Sequence, residues 1–403
     1  MPELRRELGL LEAVVYGVGL ILGAGIYAIL GEATGVTGDS IVVSFLLAAL
    51  IASLTGLSYA ELASLFPSAE GDYIYVREAF DRDIVSDVTA LGRLFMGVIS
   101  SAAVALAFSG YLSAFVDVPA VPVAVLLVLV MTVVNFWGIE LSTKINILFT
   151  AIEVAGLVII IWIASGSWGN AEILHAPNGA VGVVHAGFLI FFAYLGFGSV
   201  VNLSEETEDA TVTIPRAIIL SIGITTVLYV LVGLSAVALV DWRVLGRSAS
   251  PLAEVARVGW GPLGSTVLGA IALFSTTNTV LILQISTSRL FYGVSKSEYN
   301  VFPAVFSRVH PSRQTPHYAV VVIGLATLPF IFLGDIGVVA GLANLMLLVV
   351  FVLVNAALLK LRYSRPELER GFRTPLNVGQ VSVTAVAGLL SSLGLIAFYI
   401  LSW

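Results

Sequence analysis

The chain has no cysteine, so neither a disulfide nor a thiolate metal site can form, and the redox state of the compartment leaves no mark on it. Histidine is almost as scarce. His175, His185, His310 and His317 lack the helical spacing of a metal site, and each reads as a loop or helix-end residue. Charged residues make up only 11% of the 403 positions, and the net charge of -7 comes from Asp and Glu in short loops rather than from a binding tract, which excludes a nucleic-acid partner. No G-x-x-x-x-G-K-[ST] loop provides for ATP, and no H-E-x-x-H or G-x-S-x-G set provides for hydrolysis. Neither an enzyme nor a resident cofactor is expected.

What fills the chain instead is apolar: 58% of residues are hydrophobic and the mean hydropathy is +1.02. Runs of about 20 apolar residues match a ~30 Å hydrocarbon core, and the composition is that of an all-α integral membrane protein. About eleven such spans can be marked: Leu11–Glu32, Ile41–Phe66, Val88–Leu112, Pro119–Trp137, Ile145–Ser165, Val183–Ser204, Ile214–Val240, Pro262–Leu290, Tyr318–Leu333, Val338–Leu359 and Val381–Trp403. They predict a single transmembrane domain over residues 1–403. Met1–Glu7 is charged and the run after it is long enough to stay, so the first helix is expected to be retained. Lys and Arg fall on one face, at Arg5, Arg6, Arg77, Arg82, Lys144, Arg216, Arg289–Arg313 and Lys360–Arg373. Only Arg243, Arg247 and Arg257 fall on the other. The amino terminus is therefore expected in the cytoplasm and the carboxyl terminus outside the cell membrane.

Two spans are interrupted. The first carries Gly23-Ala24-Gly25 in the stretch LILGAGIYAILG, and the sixth, GFLIFFAYLGFGSVVNLSEE, carries Gly196 and Gly198. Each Gly in a helix interior costs roughly 1 kcal/mol relative to Ala, and backbone groups freed in hydrocarbon need other partners. A lone Gly-Ala-Gly reads as close packing. Two breaks at the first span of consecutive five-helix blocks, separated by an odd number of crossings, read instead as an inverted repeat with a site at the midplane. The repeats cover about 11–165 and 183–359, with an additional helix at 381–403. Free N–H groups around Gly23, Ala24, Gly25 and Ile26 would hold a carboxylate, and free carbonyls around Phe192 to Leu195 an ammonium, so the site fits a zwitterion.

The residues themselves resemble the amino acid-polyamine-organocation transporters. GAGIYAILG is similar to their first-helix signature, and SYAELASLFPSAEGDYIYVREAF to the end of their second helix and the following loop. FFAYLGFGSVVNLSEETEDATVTIPRAI resembles their sixth helix, RLFYGVSKSEYNVFPAVFSRVHPSRQTPHYA the loop after their eighth, and RPELERGFRTP the segment after their tenth. The resemblance implies a five-plus-five inverted-repeat, leucine-transporter-like fold with helices 1 and 6 broken. The family usually has twelve helices and this chain about eleven, which spares the five-plus-five core. The resemblance implies a substrate site at Gly23, Ala24, Gly25, Ile26, Phe192, Tyr194, Leu195, Gly196 and Gly198, with Phe192 as the aromatic cover. Gly198 stands where cationic amino acid carriers tend to have a carboxylate, which points to a neutral substrate.

Glu153 lies eight residues past Ile145, about 12 Å along a helix at 1.5 Å per residue, near the middle of the bilayer. A carboxyl at that depth is costly and functional by default; it can carry a proton or help ligate Na⁺. By the resemblance it replaces the lysine of proton-coupled carriers, beside the ion site of sodium-coupled relatives. Ser275, Thr276 and Thr277 offer hydroxyls there, although hydroxyls in membrane helices commonly bond their own backbone. Glu61, Glu205, Glu206 and Arg216 lie near cytoplasmic helix ends and read as structural. The reading reached is a secondary carrier for a neutral amino acid, proton-coupled and working by alternating access. The alternatives are sodium coupling, or an amine, organic cation or nucleobase as substrate. An intramembrane enzyme lacks its reactive set, and a channel would want a continuous polar pore. The oligomeric state is left open.

Overall fold

A computed structural model of the chain describes residues 8–23, 25–68, 71–81, 83–137, 143–204, 206–296, 302–311, 313 and 315–402. Among the predicted residues, Ala24, Glu205, Arg5, Arg6, Arg82 and Trp403 lie outside the described residues, as does the side chain of Lys144. The helices in chain order are α1 (Leu10–Leu22), α2 (Gly25–Thr37), α3 (Ile41–Leu65), α4 (Asp72–Phe80), α5 (Asp83–Ser113), α6 (Ala120–Phe136), α7 (Thr143–Ala164) and α8 (Gly179–Ile190). They continue with α9 (Ala210–Leu239), α10 (Trp242–Leu245), α11 (Pro251–Lys296), α12 (His317–Ile331), α13 (Ile336–Ser364) and α14 (Val383–Ser402). Among the described residues the only strands are Asn377–Val378 and Val381–Ser382, paired antiparallel in the α13–α14 linker.

Among the described residues the predicted apolar runs lie largely on helix, the last of them opening on the short strand Val381–Ser382. Among the described residues eight helical stretches are long and apolar enough to cross a membrane; one of them, Gly25–Leu65, holds α2 and α3 joined by a short 3-10 turn. Three shorter apolar helices, Leu10–Leu22, Ala120–Phe136 and His317–Ile331, account for the rest. The chain is a multi-pass membrane protein. Its outward-facing side chains include Leu11, Leu50, Ile84, Leu126, Trp162, Leu390 and Leu401, the apolar belt that a helix bundle offers to lipid. Helix α11 begins earlier than the sequence predicts, because two helices meet within it across a kink at Gly261, φ 78°; Pro262 then opens the membrane-length part, where its missing N–H costs nothing.

Helix α3 packs along α9, α5 along α11 and α13, and α1 along α9. The contacts use small residues, as close approach in lipid requires: Gly17 faces Ser221, Gly19 faces Thr150, and Gly97 faces Thr287. The first interruption is a break between α1 and α2. The second differs from the expected gap, since α8 passes directly into a 3-10 helix over Phe191–Leu203. Its carbonyls therefore keep i→i+3 partners instead of being released together. A 3-10 run of that length is unusual and marks a hinge or strain.

Candidate functional site

The chain turns out of α1 at Gly23, with φ 25° and ψ -154°, while its N–H still reaches Gly19 O at 3.2 Å. The positive φ is why glycine stands there. Helix α2 resumes at Gly25, whose missing side chain lets Ala193 approach: a Cβ on Gly25 would lie 2.7 Å from Ala193 Cα. A Cβ on Gly196 would overlap Leu20 O and come within 2.7 Å of Ile21 N. The two interruptions are thus in backbone contact, at Gly25 with Ala193 and at Gly196 with Leu20 and Ile21, whereas Gly23 lies nearest Thr279. Ile26 is fully buried beside them, as is Tyr194. Phe192 is buried, Leu195 and Gly196 are half-buried, and Gly198 sits against the ring of Tyr59, 3.3 Å from where its Cβ would be.

Tyr229 of α9 joins the two breaks. Its hydroxyl lies 2.8 Å from Ile21 O, 3.3 Å from Leu22 O and 3.1 Å from Ala193 O. Asn344 of α13 donates to Phe188 O at 2.6 Å and lies 3.4 Å from Leu189 O. Of the carbonyls expected to face an ammonium, Ala193 O is therefore within reach of the Tyr229 hydroxyl.

Glu153 of α7 is 2% exposed. Its Oε1 has no hydrogen-bond partner among the described residues, and the Ser275 hydroxyl faces the carboxyl without reaching hydrogen-bond geometry. Tyr27 of α2 donates to Glu153 O at 3.3 Å. The other two predicted hydroxyls turn inward: Thr276 Oγ1 donates to Ala272 O at 2.7 Å and Thr277 Oγ1 to Leu273 O at 2.8 Å. The structure thus brings together Glu153 and Ser275 and leaves Thr276 and Thr277 on their own helix. One turn further along α11, Thr279 Oγ1 lies 3.3 Å from the Cβ position of Gly23, so this helix flanks the first break. Among the described residues no group of three or more His, Asp or Glu could hold a metal ion.

A family model described as amino acid permease matches residues 8–402. The chain belongs to the amino acid permease family. It is a membrane transporter and not an enzyme. An uncharacterized transporter of Mycobacterium tuberculosis is 32% identical over 363 residues, 89% of this chain and 81% of that protein. A branched-chain amino acid permease of Bacillus subtilis is 26% identical over 401 residues, with 93% and 84% covered. A methylthioribose transporter of the same organism is 27% identical over 400 residues, with 93% and 85% covered.

Several residues of the permease that shape its core escape a sequence reading. Tyr229 and Asn344 are single polar residues in apolar runs, with no spacing to mark them. Arg93 could have been found, since it is an arginine inside a predicted span; it pairs with Asp72 at 2.8 Å between Nε and Oδ2. Glu61, read as structural at a helix end, is fully buried and accepts from Arg362 Nε at 2.8 Å, Arg370 Nε at 3.1 Å and Thr374 N at 2.7 Å.

Proposed function

We propose that the permease is a secondary active carrier of a neutral amino acid, coupled to H⁺ through Glu153 and working by alternating access. The observation that carries the reading is the meeting of the two interruptions, where Gly25 abuts Ala193 and Gly196 abuts Leu20 and Ile21. The break before α2 offers its N–H end to a carboxylate, and the carbonyls of the 3-10 run, which keep their i→i+3 partners, offer a second lone pair to an ammonium. In this reading the helices form five-plus-five inverted repeats, residues 11–165 and 183–359, with α14 as an addition. The chain crosses the cell membrane about eleven times, with its amino terminus inside and its carboxyl terminus outside.

The two Bacillus relatives are nearly equal in similarity, yet one is named for branched-chain amino acids and the other for methylthioribose. Their names do not choose between substrates. The neutral amino acid is supported by Gly198, which offers no side-chain charge, and by the apolar character of Ile26, Phe192 and Phe197, buried along the two interruptions. Sodium coupling is the second reading, favoured by the Ser275 hydroxyl facing Glu153.

Vesicles containing the purified permease, with pH and Na⁺ gradients imposed separately, test both. A proton gradient with the outside more acidic than the lumen is expected to drive accumulation of L-leucine or L-alanine. Glu153→Gln, a mimic of the protonated carboxyl, is expected to retain exchange of the amino acid and lose accumulation driven by the pH gradient. Accumulation that follows Na⁺ alone transfers the role to the second reading; accumulation unchanged in Glu153→Gln makes Glu153 structural.

A further inference from the structure

Beyond Gly198, the 3-10 helix runs against a closed polar cluster. The ring of Tyr59 covers Gly198 and packs edge-on against Phe197, Phe351 and Tyr75 at centroid distances of 5.5, 5.7 and 6.2 Å. Behind it, Arg93 Nε lies 2.8 Å from Asp72 Oδ2, and Arg93 Nη2 reaches Ser199 Oγ at 3.3 Å. Tyr59 and Tyr75 are fully buried, Asp72 is 5% exposed and Arg93 13%. Yet the cluster is not internally satisfied. Tyr59 Oη, Tyr75 Oη, Asp72 Oδ1 and Arg93 Nη1 have no hydrogen-bond partner among the described residues, although the Tyr59 hydroxyl faces the Asp72 carboxylate.

Orphaned buried polar atoms are rare and each requires an explanation. Here they come as a matched set, with acceptor capacity on a carboxylate and donor capacity on a guanidinium, flanked by two phenols. A metal cation would leave Arg93 Nη1 unmet and repel the guanidinium, and a simple anion would do the same at Asp72. A molecule carrying both charges answers both. The aromatic wall of Tyr59, Phe197 and Phe351 offers an apolar surface next to them.

We propose that Asp72, Arg93, Tyr59 and Tyr75 form a second, transit subsite for the zwitterionic amino acid, taking its ammonium on Asp72 and its carboxylate on Arg93. The proposal rests on the reading of the permease as an amino acid carrier. Asp72 and Arg93 neutralise one another across their 2.8 Å contact. The passing zwitterion replaces each partner with a group of the same charge, so the pair parts without leaving a bare buried ion, whose creation is strongly unfavourable. The Ser199 contact places the subsite directly after Gly198 on the same 3-10 run, so a molecule leaving the break meets it next.

Equilibrium dialysis of the purified full-length permease against radiolabelled L-leucine and L-alanine tests this. The expected result is a tight and a weak phase, two ligands per chain at saturation. Arg93→Gln is expected to weaken the weak phase by about tenfold or more, the loss of a charged hydrogen bond, while the tight phase stays within a factor of about three. Because the single variant leaves Asp72 unpaired, Asp72→Asn combined with Arg93→Gln serves as the folded control, monitored by size-exclusion elution, with the same loss expected. One ligand per chain, with the same curve in the double variant, overturns the subsite and leaves water as the occupant of the cluster, with the carrier reading intact. No binding of these two or of any other neutral amino acid in the same dialysis overturns the neutral amino acid reading and the subsite with it.

Discussion

At the scale of single residues, the site is held by groups that each serve more than one element. Tyr229 stands within hydrogen-bond distance of carbonyls on both interruptions, but a phenol has one proton to give. It can donate to one acceptor at a time, so its hydroxyl favours a geometry in which Ile21, Leu22 and Ala193 stay close together. Tyr229→Phe removes that donor while keeping the ring, which also packs on Tyr194 and Phe45. Leaving a buried carbonyl unpaired costs about 1–3 kcal/mol. The expected outcome is a folded protein with a lower unfolding temperature whose tight Kd for L-leucine rises by about tenfold or more. Dialysis and a thermal scan on the same preparation check it. Unchanged affinity with a lowered unfolding temperature would make Tyr229 a structural fastener only.

At the scale of elements, the helices were legible because hydrocarbon leaves little choice: a span must satisfy its own backbone, and apolar length marks it. The first break was legible too, since Gly-Ala-Gly gives φ freedom where Leu or Val would not. The form of the second was not. A Gly196/Gly198 pair marks close approach and a break with the same letters, and here it marks approach to Leu20 and Ile21 within a continuous 3-10 helix. Helix α11 shows the same limit for hydroxyls. Ser275, Thr276 and Thr277 are consecutive, so a helix turns them about 100° apart, and sequence does not say which one faces α7. The structure turns Ser275 toward Glu153 and folds the two threonine hydroxyls back on Ala272 and Leu273. Thr276→Ala and Thr277→Ala are accordingly expected to leave gradient-driven uptake within a factor of about two, as substitutions away from a functional contact do. Ser275→Ala is expected to alter the coupling-ion dependence. Uptake in vesicles across a series of ion concentrations separates the three, and a shift with Thr276→Ala matching that of Ser275→Ala would return the threonine to the ion set.

At the scale of the whole molecule, distant parts of the chain are clasped at the end of the bundle where α3 and α13 finish. Glu61 on α3 gathers Arg362 of α13 with Arg370 and Thr374 of the linker, and Arg365 reaches Glu78 of α4 at 2.7 Å. The positive-inside rule assigns this end to the cytoplasm, because the linker's Lys and Arg are among the residues that set it. That assignment, the repeat orientation and the position of α14 stand or fall together, since each depends on the number of crossings between fixed points. The absence of native cysteine allows a direct measurement with single introduced thiols. Leu174, 83% exposed in the segment between α7 and α8, follows the first five predicted spans, whereas Gln380, exposed in the linker, follows ten. Odd and even crossings place them on opposite faces. Leu174→Cys is expected to react with an impermeant maleimide on intact cells, and Gln380→Cys only after permeabilisation. Reaction of both on intact cells would mean a span between them has been miscounted and would break the inverted repeat. The reverse order would keep the repeat and turn the whole permease over, placing the Asp72–Arg93 cluster on the side from which substrate enters.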